Sequence, residues 1–207
     1  RTGQLAVCRF TRRNTAAMSQ SLFKISGGYV YDPAHGIDGQ VKDIWIDGDR
    51  IVAPPDDPRQ RPSRTLNATG LIVMPGGVDM HCHIAGPKVN TARKMRPEDR
   101  RDAPLPRSGG RRSGTLGSVP STFATGYKYA ALGYTTVFDP AVPPLAARHA
   151  HAELDDTPCI DAGFFALAGN NHYVMQALGE GRPDRLRAFL GWLLTAAKAY
   201  ALKLVNP

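Results

Sequence analysis

The feature that most constrains the fold is a regular alternation of short apolar runs and longer helix-like segments, which begins near Gly70. The apolar runs end at His83, Phe138, Leu167 and Val205. The segments with helical spacing are Thr122–Leu132, Leu145–Leu154, His172–Leu178 and Pro183–Tyr200. Repeated strand–helix units form a parallel sheet, because parallel neighbours need a crossover connection. The alternation therefore predicts an α/β fold whose sheet is open or closed into a barrel.

The preceding segment, residues 18–70, has a different pattern. Short runs with strand-like alternation, such as Gly28–Tyr31 and Asp43–Ile46, are separated by turn signals. The turn signals are Asp32-Pro33, Asp38-Gly39 and Asp47-Gly48. We therefore predict an antiparallel β module here, followed by the α/β region at residues 71–207. A basic insert at residues 84–119 interrupts the α/β region.

Both ends of the sequence are unusual. Residues 1–17 are basic and without acids, and they lack the apolar core of a secretory signal. We interpret them as a non-native or disordered leader before Met18, with a mitochondrial-type presequence as the alternative. The last residues, Ala201–Pro207, resemble a core strand that enters a turn, which is typical of a fragment. We expect this chain alone to be inactive.

Charge and cysteine content exclude several classes of protein. The net charge of +8 arises from residues 1–17 and 84–128, whereas the other segments are slightly acidic. This distribution argues against a basic groove, so we expect no nucleic-acid partner. No apolar run approaches the roughly 18 residues of a membrane helix, and we expect no membrane partner. Three cysteines without a CxxC motif favour a reducing, cytoplasmic setting.

Two histidines end the first apolar run of the α/β region. In a strand, His81 and His83 project from one face together with Asp79, while Cys82 points to the other face. Two imidazoles in this arrangement can chelate a divalent metal ion. Taken alone, an HxH motif more often has ordinary hydrogen bonds, so the motif leaves both interpretations open.

Lys203 is the second informative residue, because it lies between two leucines in the fourth apolar run. Burial of an unpaired lysine would favour the neutral amine, and a neutral amine reacts with carbon dioxide to form a carbamate. The carbamate oxygens could bind metals. The alternative is a lysine whose ammonium group reaches solvent from the end of the strand.

Longer strings carry a family resemblance, namely Met74–Asn90, Tyr127–Pro144, Gly169–Val174 and Lys203–Pro207. Together they resemble the family of amidohydrolase-type subunits found in formylmethanofuran dehydrogenases and in bacterial formyltransferase/hydrolase complexes, within the amidohydrolase superfamily. The resemblance implies an incomplete (β/α)8 barrel of a metal-dependent hydrolase, represented by strands 1–4, with an N-terminal β-sandwich subdomain.

The resemblance also implies a site and a reaction. His81 and His83 would be metal ligands, and Lys203 would be carboxylated and bridge two divalent metals, expected to be zinc. The other ligands, two histidines and an aspartate, would lie beyond Pro207. The implied reaction is hydrolysis of N-formylmethanofuran to formate and methanofuran, or the reverse condensation. The implied partners are the other subunits of such a complex.

Carriers of the methanofuran type have an acidic tail, for which basic and polar side chains near the metal site are candidates. They are Lys88, Arg93, Lys94 and Arg96 in the insert, with Asn170, Asn171 and His172 after the third strand. A solvated loop or a subunit interface is the alternative role for the insert. Two other functions remain open: a cyclic-amide hydrolase of the dihydropyrimidinase or dihydroorotase type, and a non-catalytic scaffold subunit.

Overall fold

The computed structural model describes residues 22–57, 59–95 and 120–205. The chain divides into two compact units, Arg1–Pro75 and Gly76–Pro207. The boundary lies at Pro75 instead of residue 70, because a strand at Ile72–Val73 still pairs within the first unit. The leader predicted at residues 1–17 lies outside the described residues.

The first unit contains a sheet of five strands. They are β1 (Phe23–Asp32), β2 (Ile37–Asp47), β3 (Arg50–Val52), β4 (Arg64–Asn67) and β5 (Ile72–Val73). The order is β3-β2-β1-β4, and β5 also pairs with β1. The β1–β2 and β2–β3 pairs are antiparallel, as the turn signals predict. The β4 and β5 strands run parallel to β1, however, so the module is mixed.

One predicted turn in this unit is wrong. Asp38-Gly39 lies inside β2, where Gly39 is the extra residue between the pairs Val30–Gln40 and Tyr31–Asp38. Its φ of +67° suits glycine, and such a residue allows a bulge to form without ending the strand. The turn at Asp32-Pro33 is confirmed, since a short 3₁₀ segment at Pro33–His35 connects β1 to β2.

The second unit contains a parallel sheet of four strands in the order β6-β7-β8-β9. The strands are β6 (Gly77–Asp79), β7 (Tyr134–Val142), β8 (Asp161–Leu167) and β9 (Ala201–Lys203). The helices are α1 (Gly86–Met95), α2 (Thr122–Ala131), α3 (Ala147–Leu154), α4 (His172–Gly179) and α5 (Pro183–Ala197). The predicted α/β class is confirmed by this arrangement.

The core of the second unit lies between the sheet and its helices. Val137 and Phe164 from the strands pack in one buried cluster with Ala150 and Leu154 from α3. Gly126 lets α2 approach the loop before β8, since a Cβ there would lie 2.1 Å from the carbonyl oxygen of Pro158. Because the four strands are parallel, their carboxyl ends lie at the same edge of the sheet.

The first part of the predicted basic insert is a helix. Residues 86–95 form α1, in which Gly86, Val89 and Arg93 are buried at helical spacing. The rest of the insert, including Arg96, lies outside the described residues. Among the helices that the structure describes, none combines the length and apolarity that a membrane span requires.

Candidate metal centre

The histidine pair lies at the carboxyl end of β6. The strand ends at Asp79, earlier than predicted, but the alternation continues: His81 and His83 are exposed and Cys82 is buried. The amide of Cys82 donates a hydrogen bond to the carbonyl oxygen of Phe138 on β7 at 3.1 Å. The centroids of the two imidazole rings are 5.9 Å apart, with the rings nearly perpendicular. The two side chains therefore lie side by side, as the strand period predicts.

A small polar cluster supports the backbone at His81. One oxygen of Asp79 accepts a hydrogen bond from the amide of His81 at 2.9 Å. The other accepts one from the hydroxyl of Tyr129 at 3.0 Å. Burial raises the pKa of the Cys82 thiol to about 11. Burial, with the neighbouring Cys82 and Asp79, also raises the pKa of Tyr129. Both groups are therefore neutral hydrogen-bond donors near pH 7, and Cys82 is not poised as a nucleophile.

The segment after His83 is held by Asp139, a buried side chain of β7 that is 1% exposed. Its Oδ2 accepts hydrogen bonds from the amides of Ile84 and Ala85 at 3.1 and 3.4 Å. Its Oδ1 accepts one from Ala141 at 3.2 Å and lies 3.6 Å from Nδ1 of His83. Sequence periodicity does not single out Asp139 as a site residue. An aspartate inside an apolar strand could have drawn attention to it, since buried carboxylates are almost always paired.

A second buried carboxylate, Glu153 of α3, holds the start of α1. Its Oε2 accepts a hydrogen bond from the amide of Gly86 at 2.5 Å, and its Oε1 accepts one from the side chain of Asn90 at 2.7 Å. The Nη1 of Arg93 lies 3.6 Å from the same Oε1. Arg93 also donates to the carbonyl oxygens of Ile84 and Pro120. These contacts connect α1 to α3.

The candidate substrate-binding cations of the insert therefore differ in position. Arg93 is 9% exposed, and its guanidinium points into the contact between α1 and α3. This direction follows from the helix period, which places Arg93 on the face of Val89. Lys88 and Lys94 are exposed on the same helix. Charge alone does not separate these three cations.

The remaining candidates lie at the carboxyl ends of β8 and β9. Lys203 is the last residue of β9 and is partly buried, and its carbonyl oxygen accepts a hydrogen bond from the amide of Ala168 at 2.9 Å. Asn171 is the N-cap of α4, where its side chain accepts hydrogen bonds from the amides of Tyr173 and Val174. Asn170 and His172 are exposed beside it.

Two other histidines have contacts elsewhere in the unit. His151 is within 2.9 Å of the carbonyl oxygen of Ala197 through Nε2 and packs edge-on against the ring of Phe164. His149 lies 3.6 Å from Glu153. These contacts give both side chains a structural role.

The donor chemistry of the site fits a divalent metal. In the part of the chain that the structure describes, no three His, Cys, Asp or Glu side chains cluster as a complete metal site. His81 and His83 offer two adjacent imidazole nitrogens, and Lys203 lies at the same edge of the sheet. Imidazole nitrogens with an oxygen donor, such as a lysine carbamate, suit zinc. The described residues thus fit as part of a metal centre.

Comparisons with known proteins identify the family of the chain. The amidohydrolase family pattern matches residues 64–206. Protein FwdA of Methanocaldococcus jannaschii is 46% identical over 183 residues, which are 88% of this chain and 31% of the relative. The formyltransferase/hydrolase complex Fhc of Methylorubrum extorquens contains a chain that is 37% identical over 187 residues, or 89% of this chain and 32% of the relative. A dihydroorotase of Elusimicrobium minutum is 40% identical over only 65 residues, 31% of this chain and 15% of the relative.

A solved structure extends the comparison to the fold. The formyltransferase/hydrolase complex from Methylorubrum extorquens, in complex with methylofuran, matches with a TM-score of 0.74 and 35% identity. The match covers 89% of this chain and 33% of the solved chain, so the sequence spans about a third of the relatives it resembles. With a family pattern over most of its length and the histidine pair at the end of a parallel strand, the chain belongs to the amidohydrolase family.

Proposed function

We propose that this protein is a metal-dependent amidohydrolase that cleaves the N-formyl amide of a methanofuran-type carrier to formate and the free carrier, or joins them in the reverse direction. The observation that carries the proposal is the pair His81 and His83 at the end of β6, in a sheet where Lys203 ends β9. A solved relative of 35% identity is in complex with methylofuran, a carrier of this type by its name.

In the proposed site, His81 and His83 would hold a divalent metal through their ring nitrogens. Lys203, carboxylated by carbon dioxide with loss of one proton, would supply oxygen ligands to the metals. The metals, which we propose are zinc, would polarise the formyl carbonyl and activate water when bound. Asp79 and Asp139 keep the histidine backbone in place through the amides of His81, Ile84 and Ala85.

The proposed architecture is the first half of a (β/α)8 barrel, preceded by part of a β-sandwich subdomain. The sequential order β6-β7-β8-β9 with helical crossovers is the order that such a barrel requires. Active sites of these barrels lie at the carboxyl ends of the strands, where the candidate ligands of this chain lie. The other ligands and the proton-transferring aspartate would belong to the second half.

The proposed partners are the other subunits of a cytoplasmic formyltransferase/hydrolase or formylmethanofuran dehydrogenase complex. The carrier's acidic tail would meet the exposed Lys88 and Lys94 of α1, with Arg96 in the same insert. Asn170 and His172 are exposed after β8, and we propose them as polar contacts of the carrier at the end of that strand. Arg93 is less suited to this role because its guanidinium is buried against Glu153.

The test is the metal content and activity of the protein expressed from its complete reading frame. The wild type should bind about two zinc ions and hydrolyse N-formylmethanofuran, while His81→Ala and His83→Ala lose metal and activity. His35→Ala is the matched control, because His35 is an exposed histidine of the first unit that pairs with Asp32. Unchanged metal content in both site variants would contradict the proposal.

Substrate assays separate the alternatives. The dihydroorotase likeness covers 31% of this chain, against 88% for the FwdA relative, so we expect no turnover of cyclic amides such as dihydroorotate. Turnover of dihydroorotate but not of the formyl substrate would favour the cyclic-amide hydrolase. A protein that binds its partner subunits yet holds no metal would be the non-catalytic scaffold.

A further inference from the structure

We propose that Asp139 is a positioning residue for His83: it fixes the backbone that follows this histidine and selects the ring tautomer in which Nδ1 carries the proton. The inference rests on the proposed function only for the metal-binding role of His83. The contacts that carry it are those of Asp139 itself.

The first observation is the burial of the carboxylate and its hydrogen bonds to three backbone amides. Asp139 is 1% exposed, and its oxygens accept hydrogen bonds from the amides of Ile84, Ala85 and Ala141. Ile84 and Ala85 directly follow His83, so the carboxylate fixes the direction in which the chain leaves the histidine. A buried carboxylate with three amide donors is rigid, because rotation would leave polar groups without partners.

The second observation is the direction of the His83 ring. Its Nδ1 faces Oδ1 of Asp139 at 3.6 Å, which is longer than a hydrogen bond but within ion-pair range. A neutral imidazole has one N–H and one lone pair. A lone pair on Nδ1 would face the negative oxygen, whereas an N–H there would be attracted to it. The geometry thus favours the proton on Nδ1 and leaves the lone pair of Nε2 for a metal.

Glu153 supplies an internal comparison. It is also a buried carboxylate and also accepts a hydrogen bond from an amide after the histidine pair, that of Gly86 at 2.5 Å. Its other contacts are with Asn90, Arg93 and His149, not with the ring of His83. A purely structural role in holding this segment would therefore be shared by both carboxylates, whereas tautomer selection would belong to Asp139.

The decisive experiment is ¹⁵N NMR of the histidine rings in the metal-free protein expressed from its complete reading frame, at pH 8.5. Multiple-bond correlations identify the ring nitrogen that carries the proton. We expect His83 to be the Nδ1–H tautomer, although free histidine favours Nε2–H. A predominantly Nε2–H ring in the wild type would overturn the proposal, and this measurement does not depend on the folding of any variant.

Variants separate positioning from folding. Asp139→Asn should shift His83 towards Nε2–H and weaken zinc binding about 10–100-fold in a chelator competition. Glu153→Gln should leave the tautomer unchanged, and Asp161→Asn, at an exposed position on the same sheet, should change neither property. An equal tautomer shift in Glu153→Gln would overturn the proposal. Failure of the wild type to bind zinc would instead contradict the proposed function. The tautomer of His83, measured in the metal-free protein, would still test the role of Asp139.

Discussion

Replacing Gly169 with alanine should displace the end of β9 and destabilise the second unit. A Cβ at Gly169 would lie 2.5 Å from the carbonyl oxygen and 2.8 Å from the amide nitrogen of Val205. Both atoms belong to the backbone, so no side-chain rotation can relieve the contact. Overpacking of this kind costs about 1–3 kcal/mol in free energy of unfolding. Because Lys203 is two residues before Val205, the displacement should also lower the metal content.

Gly191→Ala is the matched control, since an added Cβ at this exposed position of α5 meets nothing within 4 Å. Alanine inside a helix should add about 0.5–1 kcal/mol of stability. In the protein expressed from its complete reading frame, the midpoint of urea denaturation should thus fall for Gly169→Ala and rise for Gly191→Ala. A Gly169→Ala protein as stable as the wild type, with full metal content, would refute the close approach of Gly169 to the backbone of Val205.

The remaining predictions concern buried polar groups. At pH 8, iodoacetamide should modify the exposed Cys159 and spare Cys82, whose burial raises its pKa to about 11; prompt native-state labelling of Cys82 would contradict this. Because the folded-state pKa of Cys82 exceeds the usual value of about 8.5, the free energy of unfolding should fall as the pH rises from about 9 to 11. The fall should be less steep in Cys82→Ala. Arg93→Met should lose about 3–5 kcal/mol by leaving Glu153 without its cation, whereas Lys94→Met should change stability by less than about 0.5 kcal/mol. Equal melting temperatures for the last two variants would refute the buried pair.

The elements that the sequence predicts well are those specified by local signals. The α5 helix begins at Pro183 with Asp184 in its first turn, as expected from the fixed φ of proline and the helix dipole. It ends at Ala197, before the predicted Tyr200, because Lys198 adopts a left-handed φ of +49°. The parallel pairing of β4 and β5 with β1 depends on contacts distant in sequence, and no local pattern encodes it.

The candidate site also contains features that the local sequence predicts and features that depend on contacts distant in sequence. The side-by-side placement of His81 and His83 follows from the strand period, which a single sequence shows directly. The roles of Asp139 and Glu153 depend on which elements lie beside β6 and α1 after folding. Their contacts span 55 and 67 residues of sequence, beyond the range of any periodicity argument. A buried polar side chain is recognisable from sequence, but its partner is not.

The charges that follow His83 decide which cations could meet an acidic carrier in the proposed function. The amide of Gly86, at the positive end of the α1 dipole, donates to the carboxylate of Glu153. The negative charge of Glu153 therefore already balances the positive end of this helix. Arg93 balances the charge of Glu153 in the same buried network. Lys88 and Lys94 lie outside the network and are exposed. In the proposed function, attraction of an acidic tail would therefore fall to the exposed lysines, while Arg93 of the same helix and Glu153 of α3 keep the histidine segment in place.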